Sequence, residues 1–176
     1  MRKLENSELE RLNTEEFHRA KKFPIIIVLD NVRSLNNVGS IFRTADAFLL
    51  EAIYLCGITG TPPNRDIEKT ALGATQSVDW FYFPSTQEAI NALKKENYQI
   101  CAIEQAEGDI LLKDYKPNIN TNYALVFGNE INGVHQEIVS CSDVVIEIPQ
   151  QGTKHSLNIA VSAGIVVWDF FSKLTP

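Results

Sequence analysis

The feature that most constrains this chain is the alternation of short, β-branched apolar runs with segments of helical period. The runs are IIIVLD (25–30), AIYLCG (52–57), VDWFYF (78–83), YQICAIE (98–104), YALVFG (123–128) and DVVIEIP (143–149). An unbroken apolar run of this length suits a strand covered on both faces. After the first run, Val38, Ile41, Phe42, Ala45 and Phe48 recur at helical spacing. Ser85 and Glu88 match a capping box ahead of the helix EAINALKKE. Short helices are expected in DIEKTALGA and NGVHQEIVSC, and a long one over 157–173; GDILLKDYKPNINTN reads as irregular. Strands alternating with helices predict an α/β fold, a mostly parallel sheet flanked by helices. A length of 176 residues suits a single domain. That domain is expected over 24–176. Residues 1–23 form an N-terminal helical extension, a polar helix over 4–22 whose sparse apolar side carries Leu4, Leu9, Leu12 and Phe17.

In open α/β sheets, ligands bind beyond the carboxyl ends of the strands. Three polar clusters fall there: Asp30–Asn37, Gly128–Gly133 and Pro149–Asn158. Each has a plainer reading beside the functional one. Gly128 and Gly133 have P-loop spacing, but Val134 and His135 follow where that loop needs a lysine and a hydroxyl, so the two serve equally well as turn glycines. His155 and Ser156 are adjacent without the G-x-S-x-G elbow of a hydrolase. Ser156 or Asn158 is an N-cap candidate for the last helix, and His155 reads as incidental. Arg43, amid Ile41, Phe42, Ala45 and Phe48, reads alone as a solvated cation paired with Asp46 at i+3. Glu130 reads as a turn acid, although its place just past a buried strand favours function.

Composition narrows the classes. No apolar run approaches about 18 residues, and the N-terminus lacks an apolar core, so neither a membrane span nor an export signal is expected. Cys56, Cys101 and Cys141 lie far apart and read as buried free thiols, which implies a cytoplasmic protein. The three histidines lack metal-ligand spacing, so no zinc site is expected. A net charge of −6 counts only weakly against nucleic acid, because binding needs one local basic patch. Glu5, Glu8, Glu10, Glu15 and Glu16 concentrate the acid at the N-terminus, away from the polar clusters.

The three clusters occur together, and with them the chain resembles a known family. NNVGSIFRTADAF (36–48), ALVFGNEINGV (124–134) and VIEIPQQGTKHSLNIAVSAGIVVWDF (145–170) look like the three motifs of the SpoU (TrmH) branch of the SPOUT RNA methyltransferases, in the family's order and spacing. The resemblance covers about residues 24 to 172. It implies transfer of a methyl group from S-adenosylmethionine to a ribose 2′-hydroxyl of tRNA or rRNA. It also implies a SPOUT-type fold whose C-terminal part forms a deep trefoil knot, which the usual rule of unknotted chains would not suggest. By match to the motifs, Asn37, Arg43, Glu130, Ser156 and Asn158 fall on the family's active-site positions. Ile103, Glu104, Gly128, Ile148 and Leu157 fall on its cofactor pocket.

The resemblance further implies a homodimer through the C-terminal helix region, with no metal and no membrane. Apart from it, the helix over 157–173 is apolar nearly all round, which predicts burial on more than one side. The chain shows no separate RNA-binding domain ahead of the motifs, which favours a small target such as a tRNA loop. The rival function is a catalytically silent RNA-binding or assembly module of the same fold. The full set of motif residues argues for the enzyme.

Overall fold

The structure, a computed structural model, describes residues 1–175. Seven strands form one sheet in the order β3-β2-β1-β6-β4-β7-β5, and every strand pairing is parallel. The strands are β1 (Phe23–Asp30), β2 (Leu50–Cys56), β3 (Asp79–Phe83), β4 (Tyr98–Ile103), β5 (Ile110–Leu111), β6 (Asn122–Gly128) and β7 (Val144–Glu147). The helices are α1 (Thr14–Arg19), α2 (Leu35–Ala47), α3 (Arg65–Ala71), α4 (Ala74–Ser77), α5 (Thr86–Lys95), α6 (Gln136–Cys141) and α7 (Ile159–Leu174). The expected α/β architecture is therefore present.

Two-sided burial explains the unbroken apolar runs. Ile25, Ile27 and Leu29 of β1 face a core that includes Val38, Ile41 and Phe42 of α2 and Val166, Val167 and Phe170 of α7. Ile26 and Val28 face the opposite core, with Ala89, Ile90 and Leu93 of α5 and Ile138 of α6. The register then aligns the strand ends: Asp30 pairs with Gly128 and with Cys56, and Ile103 with Phe127 and Ile146. The loops after β1, β4, β6 and β7 consequently leave the sheet from one edge.

Four expectations need correction. The N-terminal helix over 4–22 is instead a 3-10 turn (Asn6–Glu8) and the short α1, because Asn13 and Glu16 form a reciprocal capping box that starts a new helix. Phe17 alone of its apolar side is buried, with the Lys22 ammonium over its ring. A seventh strand, β5, lies in the stretch read as irregular; its two residues pair with Ile146 and Glu147. Cys56 and Cys101 are buried thiols, whose burial raises each to about 12, but Cys141 is only half-buried. Finally, α7, expected to be buried on more than one side, leaves Val161, Ile165 and Trp168, at i, i+4 and i+7, as an apolar stripe exposed in the single chain.

The buried side of α7 is fastened at its end. Phe170 packs between Tyr115 and Tyr123, and the Lys173 ammonium donates to the Leu112 and Tyr115 carbonyls at 2.6 and 2.9 Å. On the same face of the sheet, α2 and α3 approach closely at Gly39. A Cβ built there would meet Thr70 Oγ1 at 2.1 Å and the Ile67 carbonyl oxygen at 2.2 Å. Backbone cannot yield as a side-chain tip can, so Gly39→Ala is expected to cost about 1–3 kcal/mol. Urea denaturation measures this, and an unchanged midpoint would show that α3 can move away freely.

Candidate active site

Two helix starts and one turn meet beyond the sheet. Ser34 caps α2, its hydroxyl accepting from the Asn37 N–H at 3.3 Å. Asn158 caps α7, its Oδ1 accepting from the Ala160 and Val161 N–H groups at 2.9 and 3.4 Å. Of the two N-cap candidates, Asn158 is the one that caps. Between these helices lies the Glu130 carboxylate, which accepts from the Arg33 N–H (3.2 Å), the Ser34 N–H (3.1 Å) and Asn37 Nδ2 (3.1 Å). Asn37 Oδ1 in turn accepts from Asn158 Nδ2 at 3.2 Å. Glu130, Asn37 and Asn158 thus form one hydrogen-bonded chain across residues remote in sequence. Partial burial pushes the Glu130 carboxyl up. Its own N–H, the Asn37 amide and the Arg33 and Ser34 N–H groups outweigh that and hold it below its ordinary value.

The turn carrying Glu130 is closed on itself. Asn129 and Gly133 exchange backbone hydrogen bonds at 3.1 and 3.0 Å, and Asn129 Oδ1 accepts from the Ile131 and Asn132 N–H groups. Gly128 permits the closure: a Cβ there would lie 1.8 Å from the Gly133 carbonyl carbon. The plainer turn-glycine reading therefore holds for Gly128, and Gly133 has the positive φ that suits a glycine. Glu104 secures the outgoing strand of the turn, Oε2 accepting from the Val134 N–H at 2.9 Å.

One residue further on, the buried Asp30 carboxylate accepts from the His135 N–H (2.9 Å), Thr86 Oγ1 (2.6 Å) and Asn31 Nδ2 (2.9 Å), with His135 Nδ1 at 2.8 Å. Burial pushes Asp30 up. The bonds from the His135 backbone, Thr86, the His135 ring and Asn31 more than offset it and hold its pKa below the usual value. Sequence reasoning placed Asp30 in a strand-end cluster without a task and gave His135 none. The available signal was an acid ending a buried strand, which must find partners.

These segments enclose a cavity of about 500 Å³. Its lining includes Ile103, Glu104, Gly128, Ile148 and Leu157, all five residues expected at a cofactor pocket, with Glu130, Ser156 and Asn158. His155, read as incidental, also lines it, as do Asn129 and Gln150 from the polar clusters and Gln105, which the sequence reading left out. Apolar walls (Ile103, Phe127, Ile148, Leu157, Ile159) with backbone and amide groups between them suit a flat heterocycle carrying polar appendages.

Arg43 stands apart. It lies six residues beyond Asn37 on α2, about 9 Å along the axis and turned about 120° from it. Its exposed side chain opens onto two other grooves. Its expected pairing with Asp46 is absent; Asp46 instead accepts a short hydrogen bond from Ser77 Oγ. Within one chain, then, Asn37, Glu130, Ser156 and Asn158 gather at the cavity and Arg43 does not.

Comparison with known proteins gives a consistent result. The model of the SpoU rRNA Methylase family matches residues 24–168. The chain is 32% identical over 180 residues to a protein of Borreliella burgdorferi named an uncharacterized tRNA/rRNA methyltransferase, covering 98% of this chain and 77% of that one. It is 29% identical over 168 residues to the tRNA (guanosine(18)-2′-O)-methyltransferase of Thermus thermophilus, covering 94% and 83%. Among solved structures, the AdoMet-bound rRNA methyltransferase of Sinorhizobium meliloti superposes with a TM-score of 0.80 at 26% identity, over 89% of this chain and 59% of that one.

The carboxylate that links the turn to α2 makes a testable contribution. Glu130→Ala is expected to destabilise the protein by about 1 kcal/mol at neutral pH, since water replaces its bonds in part. Because the folded-state pKa lies below the ordinary value of 4.5, that contribution is complete above this pH and is lost as pH falls through the folded value. Thermal unfolding of both proteins from pH 7 down to pH 3 measures it. A difference that does not shrink in acid would show that the carboxylate charge is not what holds the turn.

Proposed function

The chain belongs to the SpoU rRNA methylase family, and we propose that it transfers a methyl group from S-adenosylmethionine to a ribose 2′-hydroxyl of RNA, a tRNA or an rRNA. The observation that carries this reading is the convergence of Glu130, Ser156 and Asn158 on the cavity formed by Ile103, Glu104, Gly128, Ile148 and Leu157. Those residues fit the donor. The apolar walls accept an adenine ring, and the backbone around Gly128, Ile148 and Leu157 offers hydrogen-bonding groups beside it. At Gly128 the backbone comes close enough to the next turn that no side chain fits.

Bound there, S-adenosylmethionine supplies a methyl group on a sulfonium, a good leaving group as it stands. The residues have three tasks: to place the 2′-oxygen in line with the methyl carbon, to assist loss of the hydroxyl proton, and to hold the adjacent phosphate. Placement alone contributes about 7–11 kcal/mol in well-oriented systems. Asn37, fixed at both ends of its amide by Glu130 and Asn158, keeps the loops in one arrangement. Ser156, whose hydroxyl has no hydrogen-bond partner among the described residues, is free to meet the ribose.

Arg43 suits the phosphate, being planar, bidentate and permanently charged. A guanidinium stays charged throughout the working pH range, which makes it a poor base. Its main task is therefore to anchor phosphate and polarise the hydroxyl, and any base role would need that phosphate's help.

A second copy of the chain completes the site in this reading. Arg43 opens away from its own cavity, and the exposed stripe Val161, Ile165 and Trp168 runs up α7 from Leu157 at the cavity mouth. Gly164 of the same helix lines one of the grooves at Arg43. A homodimer packed on that stripe would cover it and bring Arg43 of one copy towards the cavity of the other. Catalysis resides in 24–176, with 1–23 as an accessory extension, and the protein works in the cytoplasm.

The C-terminal part is proposed to thread as a deep trefoil knot. In support of that, β7 pairs with β4 while α7 returns to pack on Tyr123 of β6, and the segments after β4, β6 and β7 share one cavity.

Four measurements test these readings. Calorimetry is expected to detect S-adenosylmethionine binding, and maps of ribose methylation in total RNA with and without the protein to differ at its target. No binding and identical maps would leave the silent-module reading standing. Arg43→Lys is expected to lower turnover by about 100-fold or more, whereas near-normal turnover would sink any bidentate or base role. Trp168→Glu is expected to convert the dimer to a monomer in sedimentation, and a wild-type protein already monomeric at micromolar concentration would remove the shared site.

A further inference from the structure

The groove between α2 and α3 carries a second unpaired cation. It has a volume of about 460 Å³ and is lined by Arg43 and Lys69 together with Ser40, Thr44, Phe48 and Leu72, and it reaches Gly164 of α7. Lys69 is exposed, and neither it nor Arg43 makes a hydrogen bond or ion pair among the described residues. No carboxylate lines the groove.

The nearby acids are occupied or do not engage: Glu10 shares another groove with Arg43 but makes no ion pair with it. Asp46 accepts from Ser77, and both Glu68 oxygens lie within 2.9 Å of Thr75 Oγ1. Asp66, three residues before Lys69, makes no ion pair with it. Two bare cations in one groove are out of keeping with a chain of net charge −6, and their mutual repulsion makes an anionic occupant favourable.

We propose that this groove holds the RNA backbone beside the target nucleotide, with Lys69 binding a phosphodiester adjacent to the one at Arg43. This rests on the RNA-methyltransferase reading above and extends it to a residue outside the three motifs. The hydroxyls contribute little as donors, since Ser40 and Thr44 already donate to the Asn36 and Ser40 carbonyls. Charge carries the contact, while the exposed Leu72 and the half-buried Phe48 offer an apolar wall to a sugar or base. The close approach of α2 and α3 at Gly39 sets the spacing of the two cations. Contacts of this kind position the strand without reading its sequence.

The test is the salt dependence of binding to bulk bacterial tRNA, a sufficient probe because phosphate contacts are sequence-independent. Lys69→Gln is expected to lower the slope of log affinity against log salt by about 0.7, so that the gap between variant and wild type narrows about 2.6-fold over a fourfold rise in salt. Lys69→Arg should keep the wild-type slope, and S-adenosylmethionine binding should be the same in all three proteins.

A Lys69→Gln protein with wild-type affinity and slope overturns this inference alone. A Lys69→Gln protein whose sedimentation shifts also overturns it, because the groove is then covered by a second copy of the chain. A wild-type protein that binds the methyl donor but shows no salt-sensitive tRNA binding overturns both this inference and the RNA reading beneath it.

Discussion

The two-sided burial of β1 and β6 is the constraint on which the rest depends. Each strand is clad by helices on both faces, so neither can slip or tilt without opening a core. Their last residues, Asp30 and Gly128, are paired across the ladder. The chain therefore emits its polar loops side by side from a fixed edge, and the hydrogen bonds of the site only have to lock segments already delivered to the same place. Asp30 shows how closely the two levels are joined. It ends an apolar strand and must be satisfied there, and the partners that satisfy it, Thr86 and His135, tie α5 and the turn after β6 to that strand.

The main strands were legible because two-sided burial leaves an uninterrupted apolar signature in the sequence. β5 was not, since two residues carry no period and exist as a strand only through their pairing with Ile146 and Glu147. The members of the site could be named one by one, but their bonding could not. Glu130 is 93 residues from Asn37, and Asn37 is 121 residues from Asn158. Nothing local in the sequence tells that the amide of one cap reaches the amide of another helix.

A periodic pattern reports that a face is apolar, not what covers it: α7 was expected to be buried on more than one side, and its stripe at Val161, Ile165 and Trp168 is open in the single chain. Likewise Arg43 and Asp46 have helical-pair spacing, yet Asp46 turns to Ser77 on α4, a helix that the sequence did not reveal.

The six residue steps from Asn37 to Arg43 cover about 1.7 turns of one helix with no flexible joint between them. This stretch acts as a ruler whose length and twist are set by backbone geometry. Side chains along it can be exchanged at modest cost. A one-residue insertion or deletion, however, would rotate Arg43 by about 100° relative to Asn37 and shift it by about 1.5 Å. Length changes accumulate readily in surface loops. In this part of α2 they would displace Arg43 from its fixed offset to Asn37 even where every residue type was retained.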